Sequence, residues 1–115
     1  MKDIDYTVED YRDIRVVTLS GNISNATKSE LMALVRRIAQ SASVVINMTN
    51  VPMVTSSGLD ALVEMCNAAR SMDRRVLLMN VHDDIIKMIE TLDLYDYFIF
   101  VESIEEGRRK LSYYV

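Results

Sequence analysis

The sequence predicts an α/β fold in one domain over residues 1–115: a mixed, mainly parallel β-sheet with an N-terminal hairpin, packed with about four helices. Three observations lead there. Short apolar or β-branched runs alternate with segments whose apolar residues recur at helical spacing, as expected of parallel strands joined by right-handed crossover helices. The first two runs follow one another across a polar stretch alone, which adds antiparallel pairing at one side. A length of 115 residues suits one core rather than two, and three glycines and one proline leave no segment of linker composition.

Each element has its own pattern. IDYTV (4–8) and IRVVTLS (14–20) are strand-like runs separated by EDYRD (9–13), the expected hairpin turn. From Asn25 onward, Leu31, Leu34, Val35, Ile38 and Ala39 fall on one helical face, and Thr27 with Glu30 has the residue types of a capping box. VVINM (44–48) is a continuous apolar run, the signature of a central strand buried on both faces. After Gly58, the set Leu59, Leu62, Val63, Cys66 and Ala69 predicts a second helix ending near residues 73–75. VLLMNV (76–81) gives another buried strand. Asp83 is the expected N-cap of a third helix with Ile85, Ile86, Ile89 and Leu92 facing inward. YFIFV (97–101) reads as a last strand, and a final helix from about Ser103 carries Ile104 and Leu111.

Composition narrows the chemistry. A net charge of -4 argues against nucleic acid as a partner, because phosphate neutralisation needs clustered cations. No apolar run approaches the roughly 18 residues of a membrane span, so no direct membrane contact is expected. One cysteine, Cys66, and an opening MKDIDYTVED without secretory character point to the cytoplasm. With one histidine, His82, there is no ligand set at metal-site spacing, and no metal or cofactor is expected.

In an open α/β sheet, sites favour the loops that leave the carboxyl ends of parallel strands. Here those loops are GNISN, TNVPMVTSS and NVHDD, which would set Ser24, Thr55, Ser56, Ser57 and His82 on one rim. The middle loop is longer than the usual 2 to 6 residues and holds the only proline beside a hydroxyl cluster. Its TSSG has two readings. One hydroxyl caps the helix by accepting an orphan backbone N–H. Alternatively, a serine accepts phosphate, adding about -1.5 to -2 charges beside the positive end of a helix dipole. Gly58 suits either, by admitting a close backbone or by relieving a strained turn. Met53 and Met65, in or just beyond the rim, offer adaptable side chains to a partner. Catalysis has thin support: TSSGL is not the GxSxG elbow, no GxxxxGK[ST] cradle occurs, and a hydrolase would rest on clustered hydroxyls and His82 alone. The protein is expected to act by binding.

Three stretches resemble one family across almost the whole chain: VVTLSGNIS, VVINMTNVPMVTSSGLDALVEM and IIKMIETLDLYDYFIFVESIEEG. They are similar to STAS domains, and within that family to the stand-alone bacterial anti-sigma factor antagonists. The central piece is the most specific. There the family commonly places an aspartate, a serine, a serine or threonine, then glycine and leucine, and the serine after the aspartate is phosphorylated. The resemblance puts that serine at Ser56, with Ser24, Met53, Thr55, Ser57 and Gly58 forming or shaping the partner surface.

What the resemblance implies is partner switching. The unphosphorylated antagonist binds an anti-sigma factor that is also a GHKL-type serine kinase, releasing a sigma factor; phosphorylation ends the complex, and a PP2C-like phosphatase resets it. The chain departs from the family pattern in places. Thr55 stands where the aspartate is usual, and Ser24 aligns with a common acidic residue of the earlier loop. Asp73 and Arg74 occupy a place where glycine is frequent, which implies a different turn. The replaced carboxylates motivate a second expectation, a phosphorylation-independent STAS scaffolding module in a signalling complex.

Overall fold

The computed structural model describes residues 4–114. The chain runs β1 (Ile4–Tyr11), β2 (Ile14–Gly21), α1 (Lys28–Ala39), β3 (Ser43–Asn50), α2 (Ser56–Arg70), β4 (Val76–Met79), α3 (Asp83–Thr91), β5 (Ile99–Val101) and α4 (Ile104–Leu111). The five strands lie across one sheet in sequence order. β1 and β2 pair antiparallel from Ile4 opposite Gly21 to Tyr11 opposite Ile14, and the remaining neighbours pair parallel. This is the mixed, mainly parallel architecture that the alternating pattern predicts.

Strand alternation distributes the core over two faces. On one face Val17, Leu19, Val44, Ile46, Met48 and Leu78 meet Leu34 and Val35 of α1, Leu59 and Leu62 of α2, and Ile85 and Ile89 of α3. On the other, Ile14, Val16, Val45, Leu77 and Val101 lie under Ile104 and Leu111 of α4. Three helices therefore cover one side and one short helix part of the other. Residues 44–46 and Met48 of β3 are buried, and each large side chain so buried contributes about 1.5–3 kcal/mol relative to exposure.

Where the elements end differs from expectation for one recurring reason. With only three glycines, the chain turns on non-glycine residues in the left-handed region: Arg12 (φ 71°), Asp73 (φ 60°), Asn80 (φ 58°) and Asp93 (φ 57°). Asp and Asn tolerate this conformation better than most side chains. Arg12 and Asp13 alone make the hairpin turn, so β1 continues through Tyr11 rather than ending before residue 9. Asn80 stops β4 at Met79, and Asp73 provides the turn before β4 that glycine would otherwise make. Asp93 follows α3 closely, leaving Leu92 half-exposed instead of on the inner face, while Ile86 is only partly buried.

Three further expectations are corrected. The hydroxyl of Thr27 makes no cap bond to α1; it accepts from Ser24 N at 3.0 Å, turned back into the preceding loop, and the residue is buried. The expected capping box is therefore not formed. His82, not Asp83, is the N-cap of α3, since Asp83 is already helical. Tyr95–Tyr97 wind into a 3-10 turn, so the last strand begins at Ile99, and Phe98 instead fills the helix-covered core.

Candidate functional site at the start of helix α2

Two loops that leave neighbouring strands are stitched together at the carboxyl end of the sheet. Ile23 N donates to the Met53 carbonyl at 3.1 Å, and Thr55 N donates to the Ile23 carbonyl at 3.0 Å, an isolated parallel bridge between Ile23 and Val54. Both bridging side chains are buried, as is Val51, whose N–H donates to the Met48 carbonyl at 3.1 Å. The long loop is thus fixed from beneath, while between β3 and α2 Pro52 and Met53 stand out of it, Met53 about half exposed at 51%.

The same Ile23 carbonyl runs against the first turn of α2. A Cβ on Gly58 would lie 2.0 Å from its oxygen, well inside contact distance. Gly58 is buried and serves the close backbone approach, holding the rim from behind rather than facing solvent.

Thr55 supplies the cap. Its backbone is extended, its Oγ1 accepts from Gly58 N at 3.0 Å, and its carbonyl accepts from Leu59 N at 2.8 Å. The Ser57 hydroxyl lies 3.3 Å from the same Oγ1. A threonine hydroxyl thus satisfies a donor that a carboxylate also satisfies at this position, without bringing charge. No acidic residue occupies the first turn of α2.

Ser56 differs from its neighbours. It is the first helical residue, it is exposed, and its hydroxyl makes no hydrogen bond with any described residue. Capping falls to Thr55, which leaves Ser56 Oγ unengaged beside free helix N–H groups and the positive end of the dipole. Ser24 is half-buried, and its Oγ accepts from Ala26 N at 3.2 Å, keeping the β2–α1 loop folded. Ser24, Met53 and Thr55 therefore sit on two loops joined by direct backbone bonds, with Ser56 and Ser57 following in the first turn of α2.

His82 is tied to the start of the same middle loop. Its Nε2 donates to the Thr49 carbonyl at 2.9 Å, and no hydrogen bond connects it to the α2 hydroxyls. Beside it, Asn80 Nδ2 donates to Asn47 Oδ1 at 3.3 Å and Thr49 Oγ1 at 3.2 Å, while Asn47 Oδ1 also accepts from the Thr49 hydroxyl at 2.7 Å. Hydrophobic pattern alone does not reveal this polar cluster; Asn47 inside the apolar run VVINM is its one sequence signal. Among the described residues no histidine, carboxylate or lysine is hydrogen-bonded to the Ser56 hydroxyl, the contact that would activate it as a nucleophile.

Met65 and Cys66 lie in the core, so Met65 is not part of the rim. Burial pushes the Cys66 thiol up to about 12, with the Arg70 guanidinium pulling the other way, which keeps it protonated and unreactive. Among the described residues, no three His, Cys, Asp or Glu side chains are placed to hold a metal ion, and no helix is long and apolar enough to cross a membrane.

Comparison with known proteins gives a consistent picture. The family model of the STAS domain matches residues 5–107. The chain is similar in structure to the anti-sigma factor antagonist SpoIIAA in its unphosphorylated form, with 15% identity, a TM-score of 0.74, and coverage of 94% of this chain and 97% of that one. It is also similar to the Bacillus cell fate determinant SpoIIAA in the phosphorylated form, with 16% identity, a TM-score of 0.67, and coverage of 91% and 98%. An anti-sigma factor antagonist from Mycobacterium paratuberculosis has 19% identity, a TM-score of 0.76, and coverage of 93% and 92%. Among curated proteins, none matches the sequence. At these identities the solved structures bear on the fold.

Proposed function

The chain belongs to the STAS domain family, and from that premise we infer that it is an anti-sigma factor antagonist whose docking rim is switched by phosphorylation of Ser56. The observation that carries this reading is the Ser56 hydroxyl, exposed and unengaged at the first position of α2 while Thr55 performs the capping. Unphosphorylated, the rim of Ser24, Met53, Thr55 and Ser57 docks against an anti-sigma factor that is also a GHKL-type serine kinase. Gly58 keeps that rim in place. The protein itself carries out no reaction and works in the cytoplasm.

The switch is local electrostatics. The kinase transfers the γ-phosphoryl of ATP to Ser56 Oγ: an O–P bond forms, the hydroxyl proton leaves, and ADP departs. The product adds about -1.5 to -2 charges to a turn that has no acidic residue of its own. Next to the helix N-terminus this charge is tolerated by the fold. Inside a close interface it meets desolvation and repulsion, and each 1.4 kcal/mol so lost weakens binding about tenfold. A PP2C-like phosphatase hydrolyses the ester and restores the binder. Likeness to SpoIIAA, a protein solved in both unphosphorylated and phosphorylated forms, supports this reading.

Incubation of the protein with its kinase partner and ATP, followed by site mapping with mass spectrometry, tests it. One phosphate at Ser56, abolished by Ser56→Ala, is the expected result. No modification, together with wild-type partner binding by both Ser56→Ala and Ser56→Asp, overturns the switch.

A further inference from the structure

The two edges of the sheet are treated differently. At the β5 edge the strand is three residues long, and Lys110 of α4 reaches over to donate from Nζ to the Phe100 carbonyl at 2.6 Å. A short strand with a lysine across it is a guarded edge. The β1 edge is the reverse. It is eight residues long and pairs with β2 throughout without a register shift. Its outward-pointing backbone groups have no backbone partner among the described residues, and it contains no proline, lysine or bulge. Arg108 Nη2 donates to the Tyr11 carbonyl at 2.9 Å at the hairpin end of the strand.

The side chains along this edge say what fits it. Asp5, Glu9 and Asp10 are exposed, and no cation lies in the strand. Asp5 and Glu9 alternate onto one face with Thr7 between them, while Val8, 42% exposed, lies with Tyr6 on the opposite face. Asp10 is already paired with Arg15 at 3.3 Å, but Asp5 has no ion-pair partner among the described residues. A second copy centred on Thr7 would set Asp5 of each chain against Glu9 of the other, and like charges directly opposite are destabilising.

We propose that the β1 edge is an interaction surface for an extended segment of another protein that adds as a sixth strand. Its Lys or Arg residues, four apart, lie opposite Asp5 and Glu9, with an apolar residue against Val8. Main-chain hydrogen bonds supply affinity and the two carboxylates select a cationic strand. This surface uses residues of β1 rather than the hydroxyls of the Ser56 rim, although its Asp5 end pairs with Ser20 just before the Ser24 loop.

The test uses the whole protein and the peptide acetyl-Lys-Val-Thr-Val-Lys-Val-Thr-amide, followed by amide hydrogen exchange in NMR spectra. The expected result is slowed exchange of β1 amides by this peptide and none by the version with Glu in place of Lys. The Asp5→Asn, Glu9→Gln double variant binds about fivefold more weakly and added salt weakens binding further. The proposal is overturned by no protection of β1, equal binding of both peptides, or affinity unchanged in the variant. Protection of β1 that rises with protein concentration without peptide also overturns it, because the occupant is then a second copy. If the double variant does not fold, the comparison of the two peptides on the unaltered protein decides.

Discussion

At Gly58, one added methyl carbon would lie 2.0 Å from the Ile23 carbonyl oxygen, and the obstacle is backbone rather than a flexible side chain. Gly58→Ala is therefore expected to cost about 2–4 kcal/mol in urea unfolding and to weaken partner binding although every hydroxyl of the rim remains. A loss under about 0.5 kcal/mol contradicts the described packing. Thr55→Ala removes one cap and should cost about 1 kcal/mol, whereas Thr55→Asp keeps an acceptor for Gly58 N and should hold stability near wild type. Cys66 gives a pH signature. Its thiol ordinarily titrates near 9 and burial raises it to about 12, so the unfolded chain loses that proton first and stability falls as pH rises from about 9 toward 12. Unfolding midpoints at pH 8 and pH 10 should separate more for wild type than for Cys66→Ala; equal separations contradict the assignment.

Helix α2 is held at both ends. At the start, Ile23 presses on Gly58. Toward the far end, the Tyr97 hydroxyl donates to Asn67 Oδ1 and lies 3.3 Å from the Val63 carbonyl, and Arg70 sits 4.7 Å over the Tyr97 ring while donating to the Tyr97 carbonyl at 3.2 Å. Tyr97→Phe should cost about 0.5–1.5 kcal/mol and speed amide exchange in the last turns of α2. Unchanged exchange throughout α2 contradicts the clamp. The elements themselves were legible in the sequence because their apolar periods are strong, as in Leu31, Leu34, Val35 and Ile38. Their ends were less so. Arg12, Asp73, Asn80 and Asp93 reverse the chain where no glycine or proline marks a turn, and the 3-10 turn at Tyr95–Tyr97 has strand-like composition. The caps depended on side-chain choices that spacing does not fix: Thr27 points back to the loop and His82 precedes the residue that looked like the cap.

Across the whole molecule, the mainly parallel sheet with a hairpin at one side and the two-sided burial of β3 follow from hydrophobic pattern, since a run such as VVINM is stable only with both faces covered, whereas the order of the strands does not. The stitching of Ile23 to Met53 and Thr55 does not either, because it is a backbone contact between loops about thirty residues apart and leaves no side-chain signature. That stitch turns separate hydroxyls into one rigid surface resting on the shared core. A phosphate on it should act without refolding, so circular dichroism of the phosphorylated and unmodified protein should coincide, with changed amide exchange confined to residues 22–25 and 53–58. On the proposed reading, charge at Ser56 decides docking. Isothermal titration of the anti-sigma factor partner with unmodified protein and with protein phosphorylated at Ser56 measures it most directly. The account predicts at least about tenfold weaker binding of the phosphorylated form, a loss of roughly 1.4 kcal/mol or more; equal affinity of the two forms would contradict it.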